Sequence, residues 1–136
     1  MRSVFLAALC AASLSAADFS GIWTGQVPTR NGEFTDVAFR IVQKGAAITG
    51  KQYGDYQSSP IVEGSVTGEE IVFTVVVQEQ AGNQINETKH RFTGALKDGA
   101  LELSRQRLES KNAGNGGVVQ FKGDSKQTLT LKRLTR

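Results

Sequence analysis

Cysteine occurs once in these 136 residues, at Cys10, and histidine, tryptophan and methionine also occur once each. Beyond residue 10 there is no thiol, which excludes a disulfide framework and a thiol nucleophile from the remainder of the chain. A single histidine, His90, excludes a multi-histidine zinc site, and no spacing of acidic residues resembles a calcium loop. No Gly-x-Ser-x-Gly elbow is present either. The glycine-rich NAGNGG (112–117) precedes a strand-like run rather than a helix, so it lacks the helix N-terminus that cradles phosphate. These absences argue against an enzyme, and no metal or cofactor is expected. Past the first seventeen residues no run approaches the roughly 20 apolar residues of a membrane helix.

Those first residues, MRSVFLAALCAASLSAA (1–17), have Arg2 as a positive start, an apolar run from Val4 to Leu14, and small residues at Ser15-Ala16-Ala17. They read as a secretory signal peptide cleaved near Ala17, leaving residues 18–136 as one domain in a secreted or periplasmic protein. Cys10 is preceded by Leu9 and lies inside the apolar run, so it reads as a discarded signal residue rather than a lipidation site. Charge in the remainder is uneven. Residues 105–136 have eight Lys/Arg against two acids, and residues 18–104 have seven against eleven. A basic C-terminal part suits acidic partners. Nucleic acid is not expected, because the only aromatic there for base stacking is Phe121.

Helical periodicity is nearly absent. β-type runs near 19–27, 34–43, 47–53, 61–67, 70–79, 85–97, 100–108 and 126–134 alternate with glycine-centred turns such as Lys44-Gly45, Thr67-Gly68 and Asp98-Gly99. Residues 118–122 offer a short ninth strand. GSVTGEEIVF (64–73) and GALKDGALEL (94–103) repeat one hairpin pattern thirty residues apart. Eight antiparallel strands in sequence can hide their edges by closing, so the expected fold is an all-β, up-and-down barrel. Connections 44–46, 67–70 and 97–99 are tight, whereas 28–33, 54–60, 80–84 and 109–125 are longer. One end of the barrel is therefore expected shut and the other open.

Parity then distributes the side chains. Val37, Phe39, Ile41, Ile71, Phe73, Val75, Val77, Phe92, Leu96, Leu101, Leu103, Leu129 and Leu131 face inward through the lower and middle barrel. The same parity brings Gln52, Thr88, His90, Arg105 and Arg107 inside near the open end. Trp23 lies on the inner face of the first strand at the shut end. Arg133 lies on the strand that closes against it, so the two are expected to form a cation–π closing pair.

Gly21-Ile22-Trp23 with a basic residue on the last strand resembles the calycin superfamily of lipocalins, fatty-acid-binding proteins and avidins. FSGIWTG is most similar to the opening of avidins, but their biotin site uses further tryptophans that this chain lacks. The order Gly21–Gly25, Val66–Phe73, Phe92–Leu96 and Leu131–Arg133 also resembles a recurrent extracytoplasmic bacterial domain found alone or beside secreted hydrolases. That family has no settled activity, so the resemblance implies fold and compartment but no chemistry.

The polar positions leave alternatives open. Trp23 is either a plug or a platform for a ligand. His90 either hydrogen-bonds within a polar layer or donates to a ligand. For Arg105 and Arg107, either Glu79 neutralises one of them, or a bulge turns them to solvent, or an anionic ligand completes the site. Two functions follow. In the first, a small-molecule or polysaccharide ligand binds at the open end through Arg105, Arg107, His90, Thr88 and Gln52. In the second, Tyr53, Tyr56 and the segment 109–117 meet another secreted protein over a packed interior. Asn86-Glu87-Thr88 also matches a glycosylation sequon, within a strand.

Overall fold

At the expected shut end, glycine-containing turns reverse the chain in two residues. Gly45-Ala46, Gly68-Glu69 and Asp98-Gly99 each join adjacent strands. Asp98 and Gly99 both take positive φ (54° and 84°), the geometry that matches a hairpin's right-handed twist. The computed structural model describes residues 17–28, 32–54, 57–81, 83–112, 118–120 and 126–135. Most of the expected signal segment, together with Cys10, Tyr56, residues 113–117 and Phe121, lies outside the described residues.

The strands are β1 (Gly21–Pro28), β2 (Phe34–Lys44), β3 (Ala47–Gln52), β4 (Ser59–Thr67), β5 (Glu70–Ala81), β6 (Gln84–Lys97), β7 (Ala100–Asn112), β8 (Val118–Gln120) and β9 (Gln127–Thr135). All pairings are antiparallel, and β1 against β9 completes the circuit. One edge of β7 is shared. Leu101–Arg105 pair with β9, and Glu109–Lys111 pair with β8. β8 and β9 therefore act as two parts of one wall strand, and the fold is a closed eight-stranded up-and-down barrel.

Two expectations change in detail. β7 runs to Asn112, so the first part of the segment 109–117 is wall rather than loop. The upper connection between β5 and β6 is as tight as the lower ones, with only residues 82–83 between the strands. Because β5, β6 and β7 have 12, 14 and 13 residues against 8 for β1 and 6 for β3, one side of the open end stands higher than the other.

The inner face is packed from the shut end upward. Phe39, Phe73 and Phe92 form a floor at mid-height. Phe73 and Phe92 stack at 4.9 Å between centroids, and Phe39 meets them edge-on at 5.6 and 5.2 Å. Below the floor, Trp23, Ile41, Ile48, Val66, Ile71, Leu101, Leu103, Leu129 and Leu131 are buried. Phe19 precedes β1 rather than belonging to it, and is fully buried beneath Trp23. Closing so narrow a sheet around large rings requires strands to approach closely at inner positions. Gly94, between inward Phe92 and Leu96, is such a position: a Cβ there would collide with the backbone oxygen of Glu102 and the side chain of Leu103. Gly94→Ala is therefore expected to lower stability by about 1–3 kcal/mol through overpacking, measured by urea unfolding with Trp23 fluorescence as the signal.

Candidate functional site

Cross-strand partners share a face of a sheet, so the ladders carry parity upward from the phenylalanine floor. Phe39 stands opposite Gln52. Phe92 stands opposite Arg105, which in turn faces Gln127 on β9. One step higher, Val75, His90 and Arg107 align across β5, β6 and β7. Above them Val77, Thr88 and Ser110 do the same. These registers bring Gln52, Thr88, His90, Arg105 and Arg107 to the inner side of the upper barrel, together with Ser110 and Gln127.

The layer is built in contact with the core. The His90 ring is 5% exposed and meets Phe92 edge-on at 6.3 Å. Thr88 is fully buried, and its hydroxyl lies 3.1 Å from that of Ser110. Arg105 donates to Oε1 of Gln127. His90, Thr88, Arg105 and Arg107 are all engaged with partners, whereas the buried Oε1 of Gln52 accepts no hydrogen bond among the described residues. An acceptor left in that state costs about 1–3 kcal/mol. Glu79, the acid that one of the three alternatives would pair with an arginine, pairs through its backbone with Asn86; its side chain lies outside what is described. Apolar groups share the upper interior: Val27, Val37 and Ile61 are buried on β1, β2 and β4, and Val75 is buried beside His90 on β5. The upper interior is thus amphipathic.

A bulge is present in β7, but it lies beyond the arginines. His90 pairs with Arg107 and Lys89 with Glu109, leaving Leu108 without a partner on β6. Arg105 and Arg107 precede it and keep the inward parity of Leu101 and Leu103. After it, Ser110 faces Thr88 on the inside and Glu109 meets Lys89 outside, with Oε2 3.8 Å from Nζ. Sequence reasoning missed Ser110 because Leu108 carries no local sign of a bulge. Gln127 was findable, since it continues the parity of Leu129 and Leu131 by one step. The sequon is part of the wall: Asn86 pairs with Asn112, and Thr88 is buried.

At the opposite end the tryptophan is a plug. Trp23 is fully buried, its indole Nε1 donates to the Phe19 carbonyl at 2.8 Å, and Arg133 lies over the ring at 4.5 Å. The guanidinium also donates to the Asp18 carbonyl. Gln43 accepts from Phe19 N at 2.8 Å, tying the incoming chain across the base.

The outer rim has its own pattern. Tyr53 is 37% exposed at the top of β3, with Lys51 Nζ 5.0 Å from its ring centroid. Phe34 and Ile85, which sequence reasoning did not single out, stand 63% and 51% exposed at the tops of β2 and β6. Among the described residues no three His, Cys, Asp or Glu side chains group as metal ligands, and no helix is long and apolar enough to cross a membrane.

No family model, no curated protein and no solved structure matches this chain, so the site is read from its own chemistry. Arg133→Leu is expected to remove both the ring contact and the bond to Asp18, lowering unfolding stability by about 1–3 kcal/mol. Chemical denaturation should show this loss, with Trp23 emission moving toward that of a hydrated indole in the native state.

Proposed function

We propose that this is an exported, calycin-like barrel without enzymatic activity that binds a small or extended polar or anionic ligand at its open end. One observation carries the reading: apart from Arg133 and Gln43, which close the base, the inward polar groups gather in the open half above the phenylalanine floor. Arg105 and Arg107 would present guanidinium donors to anionic groups. His90, level with Arg107, and Thr88, one layer above, would supply further hydrogen bonds, and Gln52 would offer its unspent acceptor to a hydroxyl or amine of the same ligand. Val27, Val37, Ile61 and Val75 would take the ligand's carbon framework. The signal-like sequence at residues 1–17 supports export, and the Gly21-Ile22-Trp23 and Arg133 pairing supports the calycin comparison.

A second reading is favoured by the rim. Phe34, Tyr53 and Ile85 expose apolar surface at the open end, which suits contact with another secreted protein. On that reading the interior is packed and the rim, not the lumen, is the binding surface.

Native mass spectrometry of the protein taken from its own extracellular fraction, before and after organic extraction, separates the two. The first reading expects a discrete added mass that extraction removes. Arg105→Gln with Arg107→Gln should then weaken rebinding of that compound at least a hundredfold while leaving the unfolding transition intact. Unchanged affinity in the double variant would exclude the arginine site. A bare chain mass, with a partner protein captured by the wild type and lost on Phe34→Ser with Tyr53→Ser, would establish the rim.

A further inference from the structure

A one-residue shift of register decides which of two neighbouring side chains enters the barrel above Arg107. The run Leu101-Glu102-Leu103-Ser104-Arg105-Gln106-Arg107 alternates inward and outward without a break, and two residues later comes Glu109. Continued alternation would bring that carboxylate to the inner face beside the guanidinium groups. The ladder prevents it. Leu108 is skipped on the β6 side, Glu109 moves to the outer face against Lys89, and Ser110 takes the inner place against Thr88. β-bulges are recurrent devices for re-aiming side chains beside functional sites.

The bulge also falls where β7 can accommodate it. On the other edge, pairing with β9 ends at Arg105 and pairing with β8 begins at Glu109. The interval Gln106–Leu108 lies between those two ladders, so an inserted residue there disrupts no regular pairing on the far side. We infer that the Leu108 bulge sets the sign of charge in the upper barrel: by turning Glu109 outward it keeps a carboxylate out of the guanidinium layer and makes that layer selective for anions. The inference rests on the reading of the upper interior as a ligand site, and it assigns the selectivity to Leu108 as a positioning residue rather than to a contact residue.

The facing itself can be tested without any ligand. In the full chain carrying Cys10→Ser, Glu109→Cys should react with a charged maleimide at least tenfold faster than Ser110→Cys. Inserting one alanine between Lys89 and His90 gives Leu108 a partner, removes the bulge and should reverse that order. An order that survives the insertion overturns the proposal. Because the insertion can fail to fold, point variants provide a second arm read at the only histidine. The groups facing His90 from neighbouring strands are Arg107 on β7 and Val75 on β5, with Arg105 one layer lower. A carboxylate added to that layer should favour the imidazolium. Ser110→Glu should therefore move the His90 titration midpoint upward by NMR, whereas Glu109→Gln should leave it in place. A midpoint that responds to Glu109→Gln and not to Ser110→Glu overturns the assignment.

Binding of 8-anilinonaphthalene-1-sulfonate completes the test. Ser110→Glu should weaken it at least tenfold and Glu109→Gln should not change it. If Arg105→Gln with Arg107→Gln leaves this binding intact, the arginine site fails, while labelling order and the His90 midpoint still decide the bulge.

Discussion

An indole held beneath a guanidinium fastens the seam at which this barrel closes. Trp23 and Arg133 are register partners on β1 and β9, the first and last strands, and they are also in cation–π contact. That contact fixes more than a local stack. Closing the sheet gives every strand one hidden face, and anchoring one inward residue on each side of the seam determines which alternate residues are hidden along both strands. From Trp23 the inner face passes to Phe39, from Phe39 to Gln52, and around the other side from Leu131 to Leu101. A closing pair set one residue away would turn Thr128, Thr130 and Lys132 of β9 to the inner face. The fully buried Phe19, bound through its backbone to Trp23 and Gln43, then seals the base beneath the seam.

The architecture was legible because its lower half obeys one rule. Where a strand covers the core, apolar and polar residues must alternate, and two-residue turns need residues that tolerate positive φ. Lys97-Asp98-Gly99-Ala100 satisfies both demands in four letters. The rule weakens with height. Above His90 there is little apolar core to enforce alternation, so Glu109, Ser110, Lys111 and Asn112 resemble loop while their backbone continues the ladder with β6. The true end of β7 was hidden for that reason. The same weakness hid the bulge at Leu108. A bulge is a matter of register between two strands, and a single strand's sequence need carry no mark of it. Val62, skipped between Ile61 and Glu63 in the pairing of β4 with β5, is a second example.

Inward facing for Gln52, Thr88, His90, Arg105 and Arg107 follows from extending parity upward from residues whose burial is dictated by the core. It holds for the arginines because β7 remains regular through Arg107. Their partners were not legible. The Gln127 amide that receives Arg105 has legible inward parity, but its place opposite Arg105 is a matter of register, and the hydroxyl that meets Thr88 comes from Ser110, beyond the bulge. Side-chain identity at an inner position can thus be read one strand at a time, whereas hydrogen-bond pairing requires the register of two.

Stability and any binding function draw on different halves of this molecule. Below the floor, nearly every inner side chain is an apolar group in close contact, and the hydrophobic effect acts with little polar desolvation to oppose it. Above the floor, ordering depends on ladder hydrogen bonds and on polar groups whose removal from water must be balanced by partners. The upper half should accordingly open locally at a lower free energy than the base. An orphaned acceptor at Gln52 fits that division: its cost falls on the half that the closing seam and the aromatic floor do not need. A polar layer could be varied there without unmaking the barrel, because the residues that define inside and outside all lie beneath it.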